Sequence, residues 1–126
     1  MALQILGVNH VNVTVPASLE DAAKNFYGVV LGLRQIPKPE GPRQYIGAWY
    51  DLGGSQLHLS IENGVDNQAS DRHVCYLVDD IPGAKIHFSG AGIEVIPDGD
   101  PLKEMSRFFV RDPGGNLIEI TAKKKN

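Results

Sequence analysis

One repeat constrains this chain more than anything else in it. Asn9-His10-Val11-Asn12-Val13-Thr14-Val15 returns 63 positions later as Arg72-His73-Val74-Cys75-Tyr76-Leu77-Val78, with histidine in the same place. A second match sets Asp51-Leu52-Gly53-Gly54-Ser55-Gln56-Leu57-His58-Leu59 over Asp112-Pro113-Gly114-Gly115-Asn116-Leu117-Ile118-Glu119-Ile120, at an offset of 61. Self-similarity at a nearly fixed offset marks a duplicated unit. The fold must be one that two copies of a module of about 60 residues can build.

The order of elements follows from alternation and punctuation. Residues 5–15 alternate as a half-buried strand and stop at Pro16. Ser18, with Asp21 three residues on, predicts a helix start that approximates a capping box, and Ala22, Phe26, Val29 and Val30 follow near helical spacing until Gly32. A short strand over 33–36, a Pro- and Gly-rich loop over 37–42, a strand over 45–52, a Gly53-Gly54 turn and a strand over 56–61 complete the first half. Residues 62–71 read as a linker. The second half repeats the order: strand 72–78, a helix over about 81–90 capped by Asp80, strand 93–96, loop 97–105, strand 106–111, turn 112–115 and strand 116–121. Each half is strand, helix, strand, strand, strand.

Side-chain parity then sorts the strands into two faces. Leu57, Leu59, Ile61, Ile118 and Ile120 belong with the valines of the opening strands, under the helices. His10, His58, His73 and Glu119 fall on the opposite face, along with Gln56 and Cys75. Phe108 and Val110 point to the helices, and Arg107, Phe109 and Arg111 to the other side. Only His87, on the second helix, stands apart from the other histidines. If the sheets curl together, four metal-competent side chains converge. Two imidazoles and a carboxylate suit zinc, iron, nickel, manganese or cobalt with coordination positions left open. An unpaired inward carboxylate would otherwise suffer desolvation, which a divalent cation relieves. For any one of these residues alone, a hydrogen-bonded core role is the simpler reading; their joint placement at equivalent repeat positions favours metal. Cys75 reads as a small wall residue and not as a nucleophile. Tyr45, Trp49 and Tyr50 are candidates to line the pocket, with their register open, although aromatics on strands are mostly core.

Composition narrows the remaining classes. A chain of 126 residues with 42% hydrophobic and 21% charged residues suits one soluble globular domain, 1–126. Its net charge of -3 argues against a general affinity for nucleic acid or anionic membrane. Lys123-Lys124-Lys125, the one basic run, is expected to fray. No apolar run approaches a membrane span, no secretory signal is evident, and the lone Cys75 fits a reducing compartment, so a cytoplasmic location is expected.

The chain resembles the vicinal oxygen chelate superfamily, which includes glyoxalase I, fosfomycin-resistance proteins, extradiol dioxygenases and bleomycin-resistance proteins. The resemblance covers nearly the whole sequence. Its carriers are His10 in Asn9-His10-Val11, the helix end Phe26-Tyr27 with Leu31-Gly32-Leu33, His73-Val74, and Arg107 through Glu119. That last stretch is close to the family ending Asp-Pro-x-Gly-Asn-x-Ile-Glu. It implies an α+β fold of two βαβββ modules (about 5–62 and about 72–122) forming a cup-shaped, barrel-like sheet with helices outside, often within a homodimer. It implies metal ligands at His10, His73 and Glu119, holding one divalent ion (Fe, Ni, Zn, Mn or Co) that chelates vicinal oxygens of a small-molecule substrate. The fourth ligand position falls on His58, where glyoxalase I carries a glutamate. His58 is therefore expected as a catalytic acid or base, or a loose fourth ligand. Arg107, Arg111, Phe109 and Gln56 are candidate substrate contacts, the arginines for an anionic group. The expected activity is that of a metal-dependent lyase or isomerase, transferase or dioxygenase. The alternative is a non-catalytic protein that sequesters a small molecule, as bleomycin-resistance relatives do; retention of the ligand set favours the enzyme.

Overall fold

The structure, a computed structural model, describes residues 2–100, 102 and 106–123. It divides into two compact units between Asn63 and Gly64, inside the stretch expected to link the halves. The first unit runs β1 (His10–Val15), a 3-10 turn (Ala17–Leu19), α1 (Glu20–Asn25) continued by a π-helical turn (Phe26–Val30), β2 (Gln35–Ile36), β3 (Ala48–Asp51) and β4 (Gln56–Ile61). The second runs a 3-10 turn (Asn67–Ala69), β5 (His73–Val78), α2 (Ile81–Gly90), β6 (Ile96–Pro97), β7 (Arg107–Arg111) and β8 (Leu117–Ala122). Both are βαβββ modules, and the fold is α+β.

Each module is one open four-stranded sheet, ordered β1-β4-β3-β2 in the first and β5-β8-β7-β6 in the second. The opening strand lies parallel to the last one, pairing His10 with Gln56 in module 1 and His73 with Leu117 in module 2. The other pairings are antiparallel. One face of each sheet is apolar and covered by its helix. In module 1, Ala48, Tyr50, Leu57 and Leu59 are buried with Ala23, Phe26 and Tyr27, and the Tyr27 and Tyr50 rings lie 6.1 Å apart. In module 2, Phe108, Val110, Ile118 and Ile120 are buried, and Phe88 of α2 meets Phe108 edge to face at 5.9 Å. Burying each of the Val, Leu, Ile and Phe side chains among these contributes about 1.5–3 kcal/mol.

Several boundaries differ from the expectation for local reasons. The strand expected over 5–15 begins at His10, because Gln56 N–H donates to the Asn9 carbonyl (3.1 Å) and β4 offers no partner before Gln56. Leu3, Ile5, Leu6 and Val8 are left exposed. Ser18 caps nothing; the Asn63 side chain instead accepts from Ala17 N–H at 2.9 Å. The strand expected over 45–52 begins at Ala48, since Gly47 adopts φ +74° and donates its N–H to Glu20 at 2.7 Å. A Cβ at Gly47 would collide with the Leu59 carbonyl, so the close approach of this bend to β4 needs glycine. The strand expected over 93–96 is β6, shifted to Ile96–Pro97, because Ile93 N–H donates back to the Phe88 carbonyl (2.9 Å) and closes α2. Asp80 caps α2 as expected, accepting from Gly83 N–H at 3.0 Å, with Pro82 in the first turn. Residues 101 and 103–105 of the expected 97–105 loop lie outside the described residues, as do Lys124 and Lys125. No described helix is long and apolar enough to cross a membrane.

Candidate metal centre

In module 1 the face opposite the helix carries a pile of three rings. His10 stacks on His58 with centroids 4.0 Å apart and planes 16° from parallel. Trp49, which pairs with His58 across the β3–β4 ladder, stacks on the other side of the His58 ring at 3.9 Å and 3°. His58 is therefore buried between two rings, and its Nε2 lies 2.8 Å from Gln56 Oε1. Burial lowers the His58 pKa below the ordinary imidazole value, and the neighbouring His10 and Lys38 lower it further. The ring is consequently neutral at pH 7. Parallel rings hold their in-plane lone pairs side by side, so His10 and His58 do not aim at a common point. His10 Nδ1 meets Asn9 Oδ1 at 2.8 Å. With that oxygen as acceptor, Nδ1 carries the proton and Nε2 is left as a ligand atom.

Module 2 gathers more charge on its equivalent face. His73 Nδ1 lies 2.9 Å from the Asp71 carbonyl, which can only accept, so the neutral ring keeps its lone pair on Nε2. That nitrogen stands 3.3 Å from Glu119 Oε1. A lone pair facing a carboxylate is repulsive unless a proton or a cation lies between. At metal–ligand distances of about 2.0–2.2 Å, two atoms on one ion at tetrahedral or octahedral angles are about 2.8–3.6 Å apart. The His73–Glu119 pair fits a shared divalent ion. Among the described residues, no three His, Cys, Asp or Glu side chains stand together as a ligand set, and His10 is not brought to the His73–Glu119 pair.

The neighbours of Glu119 define its surroundings. Phe109 pairs with Glu119 across the β7–β8 ladder and meets the His73 ring edge-on at 6.1 Å. Each module thus sets an aromatic ring opposite its site residue, Trp49 against His58 and Phe109 against Glu119. Cys75 faces Glu119 from β5. The residue is partly open to solvent, yet its thiol pKa is pushed up to about 11, by burial of the sulfur and then by the charge and hydrogen bond of Glu119. A thiol so protonated is a poor nucleophile, in keeping with the wall role expected for it.

The expected substrate contacts divide. Arg107 is engaged with acids: Nη2 is 2.7 Å from Asp98 Oδ1, and Nη1 is 3.7 Å from Glu119 Oε2. Arg111 donates to the Gly115 carbonyl at 2.9 Å and has no acidic partner among the described residues. It lines a cavity of about 300 Å³ with Gln68, Ile93 and Ile96. Gln56 is occupied by His58. Tyr50 is core, and Tyr45 is exposed. The sequence reading did not single out Asp98, nor did it fix the face of Trp49. Counting back from the Gly53-Gly54 turn would have placed Trp49 opposite His58. No periodic signal marks Asp98.

Two βαβββ modules with imidazoles, a carboxylate and aromatic rings on the faces their helices leave free define a glyoxalase-type α+β protein. The chain belongs to the Glyoxalase/Bleomycin resistance protein/Dioxygenase superfamily, whose model matches residues 7–120. Its fold is similar to that of a glyoxalase family protein from Bacillus anthracis, with 35% identity and a TM-score of 0.82 over 98% of this chain and 100% of that one. It is also similar to lactoylglutathione lyase from Agrobacterium tumefaciens (22% identity, TM-score 0.69, 94% of each chain). A third likeness is to the fosfomycin resistance protein FosX from Listeria monocytogenes, in complex with Mn(II) and dihydroxypropylphosphonic acid (12% identity, TM-score 0.76, 96% of this chain and 95% of that one). At these lower identities the likeness is one of fold. No curated protein matches the chain.

Proposed function

We propose that the chain is a metal-dependent enzyme that chelates two neighbouring oxygens of a small-molecule substrate at a divalent ion held by His10, His73 and Glu119. The observation that carries this reading is the 3.3 Å approach of His73 Nε2 to Glu119 Oε1 on the face that the helix leaves free. His10 supports it with the same arrangement, Nδ1 bonded and Nε2 left bare. FosX, which shares the fold, is described with Mn(II). The ion would supply Lewis acidity toward the substrate oxygens, and nickel, zinc, manganese, iron and cobalt all accept this donor set.

The rest of the chemistry belongs to the chain's own side chains. His58, neutral at pH 7 and oriented by Gln56, is in the protonation state of a general base. Phe109 gives the substrate an apolar wall beside His73. Arg111, which makes no ion pair among the described residues although Glu94 lines the same cavity, offers its remaining N–H groups to an anionic group entering there. The reaction falls among the lyases or isomerases, transferases and dioxygenases of the superfamily. The working assembly in this reading is a homodimer, for which exposed Leu3, Ile5, Leu6 and Val8 provide apolar surface; light scattering would read it.

The test is metal content after purification without added metal, in the parent and in His73→Ala. One ion per chain in the parent and loss in the variant is the expected result. A parent that neither carries an ion nor takes up nickel, zinc, manganese or iron overturns the reading in favour of sequestration.

A further inference from the structure

We propose that Asp98 is a positioning residue that holds Arg107 off Glu119 and so keeps that carboxylate open to a divalent ion. The inference rests on the reading of Glu119 as a ligand and adds a residue that reading leaves out. Pro97 pairs with Phe108 across the β6–β7 ladder, which carries Asp98, the next residue, to the level of Arg107. The Asp98 side chain is only 6% exposed, and a buried carboxylate needs a partner.

The guanidinium is shared unequally between its two acids. Its ion pair with Asp98 is close, at 2.7 Å, whereas the 3.7 Å to Glu119 is too long for a hydrogen bond. Arg107 also lies over the Phe109 ring, 5.8 Å from its centroid, which fixes its height above the sheet. Its Nε is buried with no acceptor among the described residues, so the fork is not placed to satisfy all its donors. The Asp98 ion pair sets its position. Glu119 therefore feels a nearby positive charge but keeps its oxygens free of a bidentate arginine. Among the described residues, Glu119 is the other acid within ion-pair reach of the guanidinium. A shift of less than 1 Å would bring Nη1 from 3.7 Å to hydrogen-bond length and set arginine in competition with the ion.

The experiment compares the parent, Asp98→Asn, Asp98→Glu and the double variant Asp98→Asn with Arg107→Met. Calorimetric titration with Mn(II), Ni(II) or Zn(II) reads ion affinity. Crystal structures of the metal-free proteins read the Arg107–Glu119 distance. The expected result is a loss of affinity of about 10- to 100-fold in Asp98→Asn, the usual range for partners that orient a ligand. Asp98→Glu should retain most of the affinity, and the double variant should recover it, because the competitor is gone. In metal-free Asp98→Asn, Arg107 should close to hydrogen-bond distance on Glu119. Unchanged affinity in Asp98→Asn overturns the proposal, and so does a loss that removing Arg107 fails to rescue. If the parent binds none of these ions, the metal reading fails, and the distance in the metal-free variant alone decides whether Asp98 restrains Arg107. An arginine that stays put or turns to solvent sinks it in either case.

Discussion

The turn that delivers Glu119 to its place is tied down by one carboxylate, and removing that carboxylate should cost far more than removing its repeat counterpart. Asp112, 4% exposed, accepts through Oδ1 from the N–H groups of Gly114 and Asn116, both at 2.9 Å, and through Oδ2 from Asn116 Nδ2 at 2.8 Å. Its own N–H donates to the Asn116 carbonyl at 3.0 Å, and Gly115 completes the turn at φ +88°. Asp112→Ala leaves two part-buried backbone donors and one amide without their acceptor. At about 1–3 kcal/mol per stranded group, partly relieved by water reaching the turn, the expected loss is about 3 kcal/mol. For a chain of this size that lowers Tm by roughly 10 °C. Asp112→Asn keeps one acceptor but sets its amide against that of Asn116, and should lose about 1 kcal/mol. Asp51, the equivalent in module 1, is more open and caps only Gly53 N–H (2.9 Å) while pairing with Arg34 (2.8 Å), so Asp51→Ala should be clearly milder. Urea unfolding of the three variants measures this. Equal losses in Asp112→Ala and Asp51→Ala, or a loss under about 1 kcal/mol in the former, would refute the reasoning.

Three further outcomes follow from the same contacts. The Gly47 N–H bond holds the Glu20 pKa below its ordinary value, with Lys24 adding to the effect. A carboxylate depressed in the folded state stabilises above its unfolded pKa, near 4.5, and that contribution fades as pH falls toward the folded value. Stability of Glu20→Gln should therefore depend less on pH below about 4.5 than that of the parent, as acid unfolding curves will show. Trp49, the single tryptophan, stacks on His58, whose pKa is lowered, so its fluorescence should stay constant above neutral pH and drop only below pH 6.5, as the imidazole charges. In His58→Gln that drop should vanish. Cys75, with its pKa near 11 and not the ordinary 9.0, should react with iodoacetamide at pH 8 about 100-fold more slowly than a free thiol. Glu119→Gln should speed that reaction, and mass spectrometry over time reads it.

How much of this was legible in the sequence depended on whether the cause was periodic or local. The duplicated βαβββ order, the helix over 81–90 and the sorting of Leu57, Leu59, Ile118 and Ile120 against His58 and Glu119 came from alternation, which a two-residue repeat fixes however the chain is later packed. Strand ends did not, because they depend on where the partner stops: β1 begins at His10 only because β4 begins at Gln56. Caps supplied from a distance were equally hidden, as when Asn63 took the place expected for Ser18.

The same division explains which parts of the candidate site were foreseen. His73 and Glu119 share a face by parity alone, so their pairing could be read from spacing. What each side chain is free to do could not. Arg107 and Arg111 are four residues apart on one strand and face the same way, yet one is held by Asp98 while the other, among the described residues, donates to a carbonyl. His10 and His73 match in sequence, but stacking sets His10 against a second imidazole while His73 meets a carboxylate. Duplication copied the positions, and the cross-strand neighbours then made them different. A copied residue is therefore evidence of place, and its chemistry has to be argued from what stands opposite it on the next strand.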